Sequence, residues 1–164
     1  MKQLILIRHG KSSWENRNLT DIERPLKNRG KKEGPIMGKL LRDRDIIPDL
    51  IISSPAKRAH STAKLVAAEV DYSSEHIRID KRIYFEGTGA ILHLIKETPD
   101  SVSTLFLFGH NPDFSYLADI FSSDYHGNVP TTGVVGIHFT AETWAECSEQ
   151  NGRMVFMEKP SDHR

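Results

Sequence analysis

Short apolar runs alternate along this chain with longer stretches whose apolar residues recur at helical spacing. Gln3 to Ile7, Asp49 to Ser53, Thr104 to Phe108, Val134 to Phe139 and Met154 to Glu158 read as strands, with a weaker candidate at His76 to Ile79. Between them, Asn28 to Asp43, Pro55 to Val70, Gly89 to Thr98 and Pro112 to Phe121 read as amphipathic helices. Strands separated by helices of this length build βαβ units. The expected fold is therefore α/β, with three α/β/α layers around a mostly parallel sheet.

Local signals refine the boundaries. In "SSPAKRAHSTAKLVAAEV", Ser54 suits an N-cap and Pro55 the first helical position. Asn111 and Pro112 repeat that arrangement in "GHNPDFSYLADIF", with Asp113 where the helix dipole favours a negative charge. Gly34 and Pro35 interrupt the first helical stretch and predict a kink or a late start. Ser122 to Gly133 reads as a polar loop and Ser161 to Arg164 as a loose tail.

At 164 residues the chain is expected to form one domain, 1–164. Lys and Arg together number 22, as do Asp and Glu, so global charge points to neither nucleic acid nor an anionic membrane. The single cysteine, Cys147, excludes a disulfide framework within the chain. No run approaches the ~18 apolar residues of a membrane span, and no signal-peptide pattern opens the sequence. A cytoplasmic protein with no membrane or nucleic-acid partner is the expectation.

Ligands of open α/β sheets bind outside the carboxyl ends of the strands. Three such ends here carry polar groups: Arg8 and His9 after the first strand, Arg58 in "SSPAKR" after the second, and His110 in "GHNP" after the fourth. Two guanidiniums, two imidazoles and two helix starts at one edge suit an anion, and phosphate fits best. Adjacent strand residues face opposite ways, so Gly10 is expected to let the chain turn and aim Arg8 and His9 at one point. Positive charge beside His9 would keep its ring neutral and nucleophilic. Attack on phosphorus, hydrolysis of the resulting phosphohistidine, and charge stabilisation by Arg8, Arg58 and His110 follow without a metal or other cofactor.

"LILIRHGKSSWEN" resembles the Arg-His-Gly signature of the histidine phosphatase superfamily, which includes phosphoglycerate mutases and many phosphatases. "DIERPLKNRGKKEG", "IISSPAKRAHSTA" and "LFGHNP" resemble its later segments, so the likeness extends along most of the chain. It implies a phosphoglycerate mutase-like fold, His9 as nucleophile, and Arg8, Arg58 and His110 as the rest of the phosphate pocket, with Ser12 and Asn16 as further contacts. "ERPL", "GHNP" and the short chain look most like the branch typified by the phosphohistidine phosphatase SixA. The implied substrate is then a phosphorylated one, such as a phosphohistidine-bearing protein, and the implied state a monomer. Glu86, in "RIYFEGTG", is the best-placed candidate for the general acid that related enzymes use with oxygen leaving groups.

Other patterns lead elsewhere. Gly10-Lys11-Ser12 imitates the end of a P-loop, but Ile5 stands where that motif needs its first glycine. Cys147 to Arg153 has the C-x5-R spacing of cysteine phosphatases, yet Glu146 and Glu149 oppose an anion there and a strand follows, so a polar hairpin loop is expected. His60, His76, His93, His138 and His163 show no metal-ligand spacing and read as surface or structural residues, while His126 lies in a loop able to approach the pocket. Lys11 and Lys57 read as solvated lysines, and Trp14 as packing beneath the catalytic turn. Two other readings remain: a small-molecule phosphatase or mutase using Glu86, and a non-catalytic module binding phosphorylated partners.

Overall fold

The apolar run at the start of the chain becomes a central strand of a six-stranded sheet. In the computed structural model, which describes residues 1–124 and 127–164, that strand is β1 (Lys2–Arg8). It is followed by α1 (Asn28–Asp43), β2 (Leu50–Ser53), α2 (Lys57–Glu69), β3 (Arg78–Ile79), α3 (Arg82–Phe85), α4 (Gly87–Lys96), β4 (Thr104–Gly109), α5 (Asp113–Ile120), β5 (Val134–Phe139) and β6 (Gly152–Glu158). The order across the sheet is β3-β2-β4-β1-β5-β6. The pairings among β3, β2, β4 and β1 are parallel, and β5 and β6 add two antiparallel ones.

Alternation along the strands separates the layers. Leu4 and Leu6 join Leu105, Leu107 and Ile52 beneath Ile91, Leu94 and Leu117 of α4 and α5. Ile5 and Ile7 join Phe106, Phe108 and Ile51 on the other face, beneath Met37, Leu41, Ala63 and Val66 of α1 and α2. The sheet is thus buried on both faces between two helical layers, the three-layer α/β fold expected from the pattern.

The parallel register sets the functional edge. Arg8 lies opposite Gly109, and Ser53 opposite Phe108, so three strands finish at one level and deliver Arg8, Ser54 and His110 together. Against one face of the sheet, α1 and α2 pack closely because Gly34 and Gly38 lack side chains. A Cβ on Gly34 would lie 3.0 Å from Leu65, and one on Gly38 2.9 Å from the Glu69 Cβ.

Several boundaries differ from the sequence reading. The first helix starts at Asn28 and continues through Pro35. The carbonyl that Pro35 leaves unpaired is that of Lys31, an exposed residue, where water can take its place. Ser54 does not cap α2: the helix begins at Lys57 with Ala56 in the capping position. Likewise Pro112, not Asn111, precedes α5, and the Asn111 side chain donates to the Val129 carbonyl (2.8 Å) and accepts from Ser115 (2.8 Å). α3 is too short to leave a periodic signal.

The tail is tied down rather than loose. Arg164 donates to Glu33 at 2.7 Å, and Arg29 reaches the same carboxylate at 3.3 Å. Glu33 is buried in α1, and a buried carboxylate needs such partners. The 122–133 loop is also less polar in practice than in composition, since Val129 is fully buried in the core. His126, expected there as a residue able to approach the pocket, lies outside the described residues. Among the described residues no helix is long and apolar enough to cross a membrane.

Candidate active site

The strand ends leave a cleft lined by Arg8, His9, Ser12, Arg58 and His110, with Lys11, Trp14, Arg24, Lys27 and Asn111 around them. The backbone of β1 keeps its sheet partners to the last residue: the His9 amide donates to the Gly109 carbonyl at 3.0 Å. The turn then folds against α2, where the Gly10 amide donates to Thr62 Oγ1 at 3.0 Å and Thr62 in turn donates to the Arg58 carbonyl at 2.7 Å. One threonine so ties the turn after His9 to the helix carrying Arg58.

Gly10 serves this turn differently from the sequence reading. Among the described residues the glycine in the positive-φ region is Gly87, so Gly10 holds no unusual backbone angle. What it supplies is space: a Cβ there would meet the Gly30 Cα at 3.0 Å and both Leu26 and Thr132 at 3.2 Å. Gly30 is matched to it, because a Cβ on Gly30 would lie 2.6 Å from the Lys11 carbonyl.

His9 is buried, and its Nδ1 lies 2.7 Å from the Gly10 carbonyl oxygen. A carbonyl only accepts, so Nδ1 carries the proton and Nε2 carries the lone pair. Burial above all, then the charges of Arg58, Arg8 and Arg24, outweigh the bond to Gly10 and push its pKa down to about 4. The His110 ring centre lies 5.2 Å away. Burial, followed by His9 and Arg58, lowers the His110 pKa to about 3. Both rings are therefore neutral at physiological pH. His110 Nε2 lies 2.7 Å from Ser54 Oγ, which accepts from the Ala56 amide at 3.1 Å. Ser54 is fully buried and its hydroxyl has no other acceptor among the described residues, so its proton goes to Nε2 and the ring N–H stays on Nδ1.

The guanidiniums are held at the back and unpaired elsewhere. Arg8 Nη1 donates to the Val129 carbonyl at 3.0 Å. Arg58 Nη1 and Nη2 donate to the backbone and side chain of Asp21 at 2.7 and 3.0 Å. Among the described residues, the buried side-chain polar atoms without a partner are Arg8 Nε, Arg24 Nη1, Arg58 Nε, His110 Nδ1 and Thr132 Oγ1. Four of these five belong to residues lining the cleft, and each of those four is a donor. Buried donors without acceptors are costly, and an oxyanion with several lone pairs satisfies them together.

Sequence reasoning missed the residues that brace this arrangement. Asp21 holds Arg24 Nε at 3.1 Å and Arg58 at 3.0 Å, and accepts from the Tyr84 hydroxyl at 2.5 Å. Burial works against its charge, but the Tyr84 and Arg58 bonds prevail and bring its pKa down to about 2. Tyr84 also sets its ring edge-on to His110, with centres 5.3 Å apart. Asp21 and Arg24 stand inside the quoted "DIERPL", but a short 3-10 turn (Asp21–Glu23) places them and no periodicity announces it.

The remaining expected residues divide. Ser12 is buried and lines the cleft. Asn16 and Glu86 are exposed and lie outside its lining, Asn16 accepting instead from the Asn18 amide. Trp14 is not packed beneath the turn: it is 70% exposed and lies over the Arg24 guanidinium. Lys57 faces a separate groove with Lys31 and Lys64. Cys147 is buried, its thiol pushed up to about 11 mainly by that burial, and Arg153 pairs with His138 across β5 and β6 rather than forming an anion loop. Among the other histidines, His138 bonds Gln3, His163 bonds Glu158 and His76 packs edge-on to Tyr72. No group of three metal-binding side chains occurs among the described residues.

Residues 4–83 match the model of the histidine phosphatase superfamily (branch 1). An uncharacterised chloroplastic protein of Arabidopsis thaliana is 32% identical over 130 residues, covering 74% of this chain, which spans only 59% of that relative. An uncharacterised protein of Mycobacterium tuberculosis is 32% identical over 117 residues, covering 71% of this chain and 70% of its own. A 2,3-bisphosphoglycerate-dependent phosphoglycerate mutase of Streptomyces avermitilis is 33% identical over 109 residues, 65% of this chain and 41% of the mutase. Among solved structures, a proposed phosphohistidine phosphatase SixA from Agrobacterium tumefaciens superposes with a TM-score of 0.79 at 25% identity, over 97% of this chain and 98% of its own. With the Arg-His pair at the end of β1 and its partners at the ends of β2 and β4, these matches lead to one conclusion: the chain belongs to the histidine phosphatase superfamily.

Proposed function

We propose that the chain is a phosphatase that works through a phosphorylated His9, with no metal ion taking part, and that its substrate is phosphohistidine on a protein. The observation that carries the reading is the neutral His9 ring whose Nε2 has no hydrogen-bond partner among the described residues, set among guanidinium N–H groups that likewise have no acceptor there. In the first step the Nε2 lone pair attacks phosphorus and the bond to the leaving group breaks. Water then attacks the phosphohistidine, releasing phosphate and restoring the ring. Arg8, Arg58 and the His110 N–H donate to the equatorial oxygens, doing electrostatically what a cation would otherwise do. Ser12 and Asn16 are proposed as further phosphate contacts, Asn16 only after a shift of its exposed turn. Phosphohistidine suits a site without an acid in its lining, because its nitrogen leaving group can depart already protonated.

Hydrolysis of a generic phosphomonoester and of phosphoramidate, with and without EDTA and with His9→Ala, tests this. The expected result is activity indifferent to EDTA and abolished in the variant. Activity that survives His9→Ala, or that EDTA removes, contradicts the mechanism.

The similarity to phosphoglycerate mutases favours a second reading, in which the substrate is a small phosphate ester or the reaction a mutase step, with Glu86 as general acid. Glu86→Gln would then slow alkyl phosphate cleavage strongly and phosphoramidate cleavage little. Equal rates for the two forms of the chain on both substrates remove Glu86 from the reaction.

A further inference from the structure

The cleft contains a third arginine that the reaction above leaves without a task. Arg24 follows the 3-10 turn that begins at Asp21, and its side chain is only 9% exposed. Asp21, which also grips Arg58, holds its Nε at 3.1 Å. The same guanidinium has a buried Nη1 with no partner among the described residues, and it lines the cleft beside Arg8, His9 and Arg58. An arginine buried for structure alone would have its fork satisfied. This one is fixed on one side and unpaired on another, as a waiting oxyanion ligand is.

Trp14 covers it. The Arg24 Cζ lies 3.4 Å from the centre of the Trp14 ring, within stacking distance, while Trp14 as a residue is 70% exposed and lines the same cleft. The stack fixes the guanidinium plane and shields it from water on one side. In phosphoryl transfer the leaving group departs opposite the attacking atom. With His9 buried at the base, that direction is outward, toward the rim that Trp14 forms.

We propose that Arg24 is an additional ligand of the substrate's phosphoryl oxygens, and that Trp14, stacked on it, gives the cleft a flat apolar wall selecting planar leaving groups such as imidazole or phenol. This rests on the phosphoryl-transfer reading above and adds to it a determinant of leaving-group shape. The pairing also explains why a large apolar side chain stays at the surface beside a site built for an anion.

Tungstate, as a phosphate mimic, tests the first half without requiring turnover. Calorimetric titration of the unmutated chain, Arg24→Ala and Arg24→Lys, with melting temperatures recorded for each, should show affinity falling tenfold or more in both variants. Lysine fails because it cannot keep Asp21 and present a planar fork together. The second half is read from kcat/KM on 4-nitrophenyl phosphate relative to glycerol 3-phosphate, which should fall at least fivefold in Trp14→Ala, chiefly through KM. Fluorescence gives an independent check, since the other tryptophan, Trp144, is fully buried against Phe139. Tungstate should change the emission of the unmutated chain, and Trp14→Phe should remove that change. Unaltered tungstate affinity in a folded Arg24→Ala, or an unaltered substrate ratio in Trp14→Ala, overturns the proposal while the phosphatase reading stands. Failure of the unmutated chain to take tungstate overturns both.

Discussion

His9 and Gly10 are joined by a hydrogen bond as well as a peptide bond: the ring Nδ1 lies 2.7 Å from the neighbouring carbonyl oxygen. The bond fixes the tautomer, and the proton cannot move to Nε2 without breaking it. Because burial and the surrounding arginines lower the His9 pKa to about 4, the ring proposed as nucleophile is neutral across the physiological range. The predicted pH profile of kcat/KM has its acid limb near pH 4, falling about tenfold per unit below it, and no step near 6.5. An initial-rate series from pH 3.5 to 8 checks this, and a midpoint near 6.5 would show an exposed, unpaired ring.

The same lowering acts on stability, with a definite sign. His9 and His110 have folded values of about 4 and about 3 against 6.5 when unfolded. As pH falls from about 6.5, the unfolded chain takes up protons on both rings that the folded chain refuses, so stability is lost progressively toward pH 4. Facing these rings are the cations Arg8, Arg24 and Arg58 and the carboxylate of Asp21, which keeps its charge down to about pH 2. The double variant His9→Gln, His110→Gln should melt with a shallower dependence on pH between 7 and 4.5. Parallel curves would exclude these two histidines as the source.

Asp21 aims two guanidiniums, so its removal should cost more than one surface charge. Asp21→Ala is predicted to lower kcat/KM about ten- to a hundredfold, the span expected for charge-assisted hydrogen bonds of about 1.5–3 kcal/mol. Asp21→Asn, which keeps an acceptor oxygen, should fall between. Steady-state kinetics on one phosphomonoester suffice, and wild-type rates in both variants would make Asp21 a bystander.

Ser54 offers a finer test of His110. If its hydroxyl directs the ring N–H onto Nδ1, Ser54→Ala should reduce kcat about tenfold, the share of one neutral hydrogen bond of about 1 kcal/mol or slightly more, and Ser54→Thr should restore most of it. A loss that the threonine variant does not recover would point to packing at the end of β2 instead.

The architecture was legible because it rests on periodicity. Six apolar runs became six strands, and residues as far apart as Leu4 and Ile137 meet in one core because the strand pattern is two-sided. The pairing of Arg8 and His9 with Arg58 and His110 was legible for the same reason: all follow strands whose parallel register aligns their ends. Side-chain bracing was not. Ser54 looks like a helix cap by composition, but the helix starts later and the hydroxyl goes to His110. Asp21, Arg24 and Tyr84 come from a 3-10 turn and a four-residue helix, elements too short to have a period, and their meeting depends on long-range packing. Trp14 was expected to pack beneath the turn after β1, whereas it stacks on the Arg24 guanidinium and stays at the surface.

The most direct measurement is to trap the intermediate. The chain, quenched in alkali during turnover of a radiolabelled phosphate donor, should carry one phosphoryl group per molecule, stable to base, released by acid, and mapping to the peptide containing His9. His9→Ala should carry none while retaining its fold. A phosphoryl group on another residue, or steady turnover with no phosphoenzyme in a rapid-quench series, would contradict the account.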